Sequence, residues 1–199
     1  NLDLDAILVT HHHPDHVGGV QALKDKYSAK VYGFSGANLD FIDIRVGDKD
    51  ELTILDCSFV VFEVPGHTLD HIAYFSPVSS EDNNTRAKPR LFCGDTLFSA
   101  GCGRLFEGTP VQMHTSLSKL KSLPSDTEVY CAHEYTLTNL EFAKSLMPAN
   151  QDLAEYTKIC QDKRDAGIST IPSTIGQELK INPFVRTDDA EIIQQLRKT

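Results

Sequence analysis

Short apolar runs and longer amphipathic stretches alternate along the first two-thirds of the chain. The β-branched run "AILVT" (6–10) ends at polar residues and reads as a buried strand. Helical spacing follows from Pro14 to about Tyr27, and Pro14 suits a first turn because no N–H is needed there. "KVYGF" (30–34) is the next strand. "ELTIL" (51–55) and "SFVVFEV" (58–64), separated by "DC", predict a hairpin, and "IAYFS" (72–76) and "RLFCG" (90–94) predict two more strands. Between these last two, residues 77–89 are polar and proline-flanked, the composition of a surface loop. A helix over 111–123 and a strand "EVYCA" (128–132) follow. Beyond about Leu137 the pattern is helical, at 139–147, 150–167 and 188–199, with an irregular, proline-punctuated stretch over 168–184. The expectation is an α/β catalytic domain over 1–136 and a small helical, substrate-binding part over 137–199.

Composition narrows the partners. Apolar residues make up 40% and charged residues 24%, enough for a real core in 199 residues. The formal charge of −9 excludes a nucleic-acid partner, because phosphate binding needs a basic face. It also means that an anionic substrate must be held by local basic groups or by metal charge. No apolar run reaches membrane-spanning length and no signal peptide opens the chain, so a cytoplasmic monomer is expected, with the mitochondrion as the alternative compartment. The five cysteines (Cys57, Cys93, Cys102, Cys131 and Cys160) are scattered and form no C-x-x-C, as suits buried thiols in a reducing compartment. The first residue is Asn1, so the sequence reads as one processed, cut or recorded from partway in.

The candidate chemistry sits in "THHHPDH" (10–16). In an extended segment side chains alternate, so His11 and His13 share one side and His12 points away. The turn into a helix at Pro14 then brings Asp15 and His16 back toward that side. Further donors stand just past three strands: His67 in "VPGHT", Asp95 in "FCGDT" and His133 in "YCAHEYT". Loops at one end of the strands in an α/β sheet gather functional groups. The count assigns His11, His13 and His67 to one ion, Asp15, His16 and His133 to a second, and Asp95 to both. The carboxylates Asp15 and Asp95 are taken as the catalytic residues of the set. Imidazole and carboxylate donors suit zinc, iron or manganese without choosing among them, and zinc is taken as the first expectation. His12 reads as solvent-facing. His71 and His114 read as ordinary polar contacts, with His71 also placed to support a ligand from behind.

"THHHPDH", "GHT", "GDT" and the later histidine resemble the ordered motifs of the metallo-β-lactamase superfamily. That resemblance implies an αββα sandwich with the metals at one edge. Within it, "GDTLFSAGCGRLFEGT", "AHEYTLTNLEFA", "PSTIGQELKINPF" and "QQLRK" resemble glyoxalase II, hydroxyacylglutathione hydrolase. The implied activity is hydrolysis of a glutathione thioester, typically S-D-lactoylglutathione, to glutathione and D-lactate, using two divalent ions. The implied substrate residues are Arg104, Tyr135 and Arg197. The chain departs from the family pattern in three places. Phe106 stands where many members carry Tyr, a basic residue that normally follows Arg197 is absent before Thr199, and the first strands of the sandwich are missing ahead of "AILVT", which leaves that strand at an edge. The rival reading within the superfamily is a persulfide dioxygenase, with one iron held by His11, His67 and Asp95. A rival of another class is a truncated metal-binding form without turnover.

Overall fold

The computed structural model describes residues 3–77, 87–188 and 190. Strand β1 (Ala6–Leu8) leads through the histidine turn into helices α1 (Pro14–Val17) and α2 (Val20–Tyr27). The sequence predicts one helix here; the Gly18–Gly19 pair, poor helix formers, divides it. Strands β2 (Lys30–Phe34) and β3 (Ile44–Val46) complete a three-stranded parallel sheet in the order β1-β2-β3. β1 is therefore an edge of that sheet. β3, three residues long, escapes a periodicity reading.

The second sheet holds β4 (Glu51–Ile54), β5 (Cys57–Glu63), β6 (Ile72–Ser76), β7 (Arg90–Gly94), β10 (Glu128–Cys131) and β11 (Ser173–Thr174). Its order is β11-β10-β7-β6-β5-β4. Between β7 and β10 lie a two-strand ribbon, β8 (Leu97–Phe98) with β9 (Gly101–Cys102), and helix α3 (Pro110–Lys121). Thr109 and Gln112 cap α3 reciprocally, which fixes where it starts. The C-terminal part contributes α4 (Thr136–Leu146), α5 (Gln151–Asp165), α6 (Ile175–Ile181) and α7 (Pro183–Arg186).

Period-two alternation in the central strands builds the layers. Ile72 and Tyr74 of β6 point into an apolar layer shared with Val46 and Val61, against which Leu8 and Phe34 of the first sheet pack. Their neighbours Ala73 and Phe75 point the other way, into a layer with Met113, Leu117 and Leu120 of α3. Val20 of α2 covers the outer face of the first sheet with Val9, Val31 and Ile42. Helix, sheet, sheet, helix is the result, an αββα sandwich. Tyr74 ties its two sheets by donating its hydroxyl proton to the Val9 carbonyl at 3.0 Å.

The stretch 168–184 is not irregular. It holds β11, α6 and α7, and the reason is local capping around two prolines and a buried polar network. Thr174 caps α6 by accepting from the Gln177 N–H, and Asn182 caps α7 by accepting from the Phe184 N–H. Glu178 and Asn182, one helical turn apart and both buried, reach into the β8–β9 ribbon. Glu178 Oε2 accepts from the Ala100 N–H at 2.8 Å, and Asn182 Nδ2 donates to the carbonyls of Phe98 and Gly101 at 3.1 and 2.9 Å. These bonds fasten the C-terminal helices to the ribbon that follows Asp95. Of the last expected helix, 188–199, Asp188 is described and not helical and Ala190 is helical; the rest lies outside the described residues.

Candidate metal centre

Four chain segments deliver donors to one edge of the sandwich. The turn after β1 brings His11, His13, Asp15 and His16, and the turns after β5, β7 and β10 bring His67, Asp95 and His133. His13 Nδ1 faces His11 Nε2 at 3.2 Å and His67 Nε2 at 3.0 Å. On the other side, Asp15 Oδ2 faces His133 Nε2 at 3.3 Å and His16 Nε2 at 3.6 Å. Donor atoms within each trio lie within 4.8 Å of one another. Asp95 stands between the trios: Oδ1 is 3.3 Å from His16 Nε2, and Oδ2 is 3.4 Å from His67 Nε2 and 3.5 Å from His133 Nε2.

The electrostatics suit bound cations. Burial drives the His11 imidazolium far below its ordinary pKa, with the neighbouring His71, His16, His67 and His13 adding to the effect. Burial lowers His67 as well. Its Nδ1 donates to the Arg104 carbonyl at 2.7 Å, which leaves the Nε2 lone pair aimed at the centre. The contact with Asp95 raises His16, against the opposing effect of burial. Burial by itself would raise the Asp95 carboxyl, but pairing with His16 and the fields of His16, His133 and His67 hold it below the usual range. His16 Nε2 and Asp95 Oδ1 are nevertheless buried with no aligned hydrogen bond. Buried polar atoms without partners are costly, and His13 Nδ1 faces two Nε2 atoms at 3.2 and 3.0 Å, more than its single N–H can serve. Two divalent ions fit this donor set, and the arrangement is that of a dinuclear metal site.

Two glycines allow the crowding. A Cβ on Gly103 would lie 1.7 Å from the Asp95 carbonyl oxygen. Gly94, at φ +49°, packs so closely that a Cβ would meet His71 at 2.9 Å.

A cleft of about 410 Å³ opens over the donors, lined also by Phe98, Cys102, Arg104, Phe106, Tyr135 and Asn139. Arg104 is exposed, its guanidinium 5.3 Å above the Phe106 ring. Tyr135 is exposed and its ring stacks on His133 at 5.2 Å. Arg197 lies outside the described residues. A larger concavity of about 580 Å³, beside Lys121 and Arg186, contains no histidine.

Two histidines differ from expectation. His12 is not solvent-facing filler: its Nδ1 lies 2.9 Å from Asp70 Oδ1, and its Nε2 is 3.5 Å from Glu107. It thereby ties the histidine turn to the His67 turn, where Thr68 also donates to Asp70 at 2.6 Å. His114 buries Nε2 without a hydrogen-bond partner among the described residues. Asp70 and Glu107 were invisible as site residues because each is a lone acid in a polar turn. The position of Asp70, three residues after His67, was the available signal.

The chain resembles known proteins over its whole length. Residues 1–133 match the metallo-beta-lactamase superfamily and residues 134–199 match the hydroxyacylglutathione hydrolase C-terminus. A hydroxyacylglutathione hydrolase of Chromohalobacter salexigens is 50% identical over 98% of this chain and 73% of its own length. The crystal structure of ETHE1 from Myxococcus xanthus superposes with a TM-score of 0.72 at 25% identity, covering all of this chain and 70% of that one. The crystal structure of TTHA1623 in a di-iron-bound form gives a TM-score of 0.55 at 26% identity, over 90% of this chain and 76% of that one. The chain thus belongs to the hydroxyacylglutathione hydrolase family of the metallo-β-lactamase superfamily.

Proposed function

We propose that this chain hydrolyses S-2-hydroxyacylglutathione thioesters, releasing glutathione and a 2-hydroxy acid, with S-D-lactoylglutathione as the type substrate. The observation that carries the reading is Asp95 suspended between two donor trios beneath a cleft with a cationic and aromatic rim. Divalent ions in such a centre supply activated water at neutral pH, lowering its pKa from about 15.7 to roughly 7. His11, His13 and His67 would hold one ion and Asp15, His16 and His133 the other, with Asp95 within reach of both trios. Zinc is the first candidate, then iron or manganese.

The remaining steps belong to the chain. The Arg104 guanidinium, supported on the Phe106 ring, offers an anionic glutathione group a positive partner on an otherwise acidic protein. The Tyr135 hydroxyl, held beside His133 by ring stacking, and Arg197 complete the binding of the glutathione part. Phe98 and Phe106 give the cleft an apolar wall. No side-chain nucleophile is required. Burial pushes the Cys131 thiol up to about 11, so it stays protonated and unreactive at neutral pH. The leaving thiolate, from a thiol of pKa about 8.5, departs without a strong general acid. On this reading residues 1–136 carry the chemistry and 137–199 add substrate contacts. A cytoplasmic monomer is the matching expectation. Among the described residues no helix is long and apolar enough to cross a membrane.

A persulfide dioxygenase would use one iron on His11, His67 and Asp95. The second trio of Asp15, His16 and His133 disfavours that alternative. The test offers zinc-, iron- and manganese-loaded protein S-D-lactoylglutathione, glutathione persulfide with oxygen monitored, and a β-lactam. Selective loss of the thioester absorbance supports the proposal. Oxygen uptake with the persulfide and no thioesterase activity overturns it.

A further inference from the structure

His71 lies behind the centre and donates to neither trio, yet it touches both halves of the site. Its ring stacks on His11 with centroids 4.5 Å apart and planes 18° from parallel. Its Nε2 accepts the backbone N–H of Asp95 at 3.0 Å. That bond requires a lone pair on Nε2, so the proton sits on Nδ1, which faces Thr96 Oγ1 at 3.3 Å. The ring is 1% exposed and is locked by its surroundings. Val64 donates its N–H to the His71 carbonyl at 2.8 Å, and the following residue, Ile72, donates to the Thr10 carbonyl at 2.9 Å. The close approach of the ring to the turn after β7 depends on the missing side chain at Gly94.

His11 and Asp95 come from different sheets, at the ends of β1 and β7. The two strand ends meet where Thr10 Oγ1, 3.1 Å from His11 Nδ1, packs against Gly94. His71, rooted at the start of β6, adds the direct link between the His11 ring and the Asp95 backbone. We propose that His71 is a positioning residue for the dinuclear centre, which sets the His11 ring by stacking and the Asp95 carboxylate through its backbone N–H, and so governs the occupancy of both ions together. This inference rests on the metal-binding reading of the trios.

The test is a competitive zinc titration against a chromophoric chelator, with cobalt(II) absorption spectra recorded in parallel. Wild-type protein that takes up no zinc refutes the metal-binding reading itself, separately from the role of His71. His71→Phe keeps the stacked ring and removes the acceptor; its zinc affinity is expected to fall 10–100-fold, the usual effect of losing a ligand's support. His71→Gln restores a carbonyl acceptor, and recovery of part of that loss is expected. Thr96→Val keeps His71 in place and its Asp95 bond intact, and removes only the hydroxyl that accepts the Nδ1–H. It is expected to weaken zinc several-fold and shift the cobalt bands, and it decides the matter if His71→Phe does not fold. A merely structural role lowers the melting temperature of the metal-free variants and leaves zinc affinity and cobalt spectra as in wild type. That result overturns the proposal.

Discussion

Replacing Asn182 by alanine tests how firmly the C-terminal helices are tied to the β8–β9 ribbon. The side chain is fully buried, and Nδ2 donates to the carbonyls of Phe98 and Gly101 and to Glu178 Oε2, while Oδ1 accepts the Phe184 N–H. A carboxamide has two N–H protons, so three strong bonds at most are lost and the fourth contact is a shared one. At about 1 kcal/mol per net hydrogen bond, that is about 3 kcal/mol. The Phe184 N–H is then left buried without its cap, and an orphaned donor costs about 1–3 kcal/mol where no water reaches it. The estimate overlaps with the bond already counted, so the expected loss is about 3–4 kcal/mol, a large fraction of a domain's stability. Asn182→Asp keeps the cap acceptor but sets a carboxylate against Glu178 and two carbonyls, so it should be at least as damaging at neutral pH. Urea unfolding by circular dichroism gives both numbers. A loss below about 1 kcal/mol for Asn182→Ala would refute the reasoning, because a solvated surface asparagine behaves that way.

Arg104→Ala should raise KM for the glutathione thioester by roughly tenfold, the low end for losing a charged hydrogen bond, with kcat little changed; steady-state kinetics showing a lower kcat at unchanged KM contradicts its role as a binding residue. Burial raises the Glu178 carboxyl, so the folded protein holds that proton more tightly than the unfolded chain. Its stabilisation is full below the unfolded value of about 4.3 and is lost as pH rises toward the raised folded value. Relative to Glu178→Gln, which cannot titrate, wild type should lose stability across that window in urea melts; a wild type that gains on the variant with rising pH contradicts the assignment. Gly103→Ala must displace Asp95, whose carbonyl oxygen occupies the space of the new Cβ; equilibrium dialysis should show lost metal in protein whose circular dichroism keeps mixed α/β structure, and wild-type metal content contradicts it.

The donors were legible in the sequence because each has a local marker. The histidine turn has a spacing with little structural purpose, and His67, Asp95 and His133 each stand just past a β-branched or aromatic run. Strands β2, β6 and β7 match their expected spans because each is a short apolar and aromatic run bounded by polar or turn residues. What escaped depends on contacts distant in sequence. His12 finds its partner 58 residues away in Asp70, and Glu178 reaches Ala100 across 78 residues. Such pairs leave no periodic trace. Strands β8, β9 and β11 are two residues each and exist only through their partners. Helix α6 was hidden by Gly176 and by the flanking Pro172 and Pro183, although its Thr174 cap and Gln177 were present as a readable start signal.

The central claim is that two metal ions, shared through Asp95, make this chain a thioester hydrolase. The most direct measurement adds zinc stepwise to metal-free protein and follows S-D-lactoylglutathione hydrolysis at each addition. The account predicts activity that keeps rising until about two equivalents are bound, and no activity at any loading in Asp95→Ala. Full activity at one equivalent, or turnover that survives in Asp95→Ala, contradicts it.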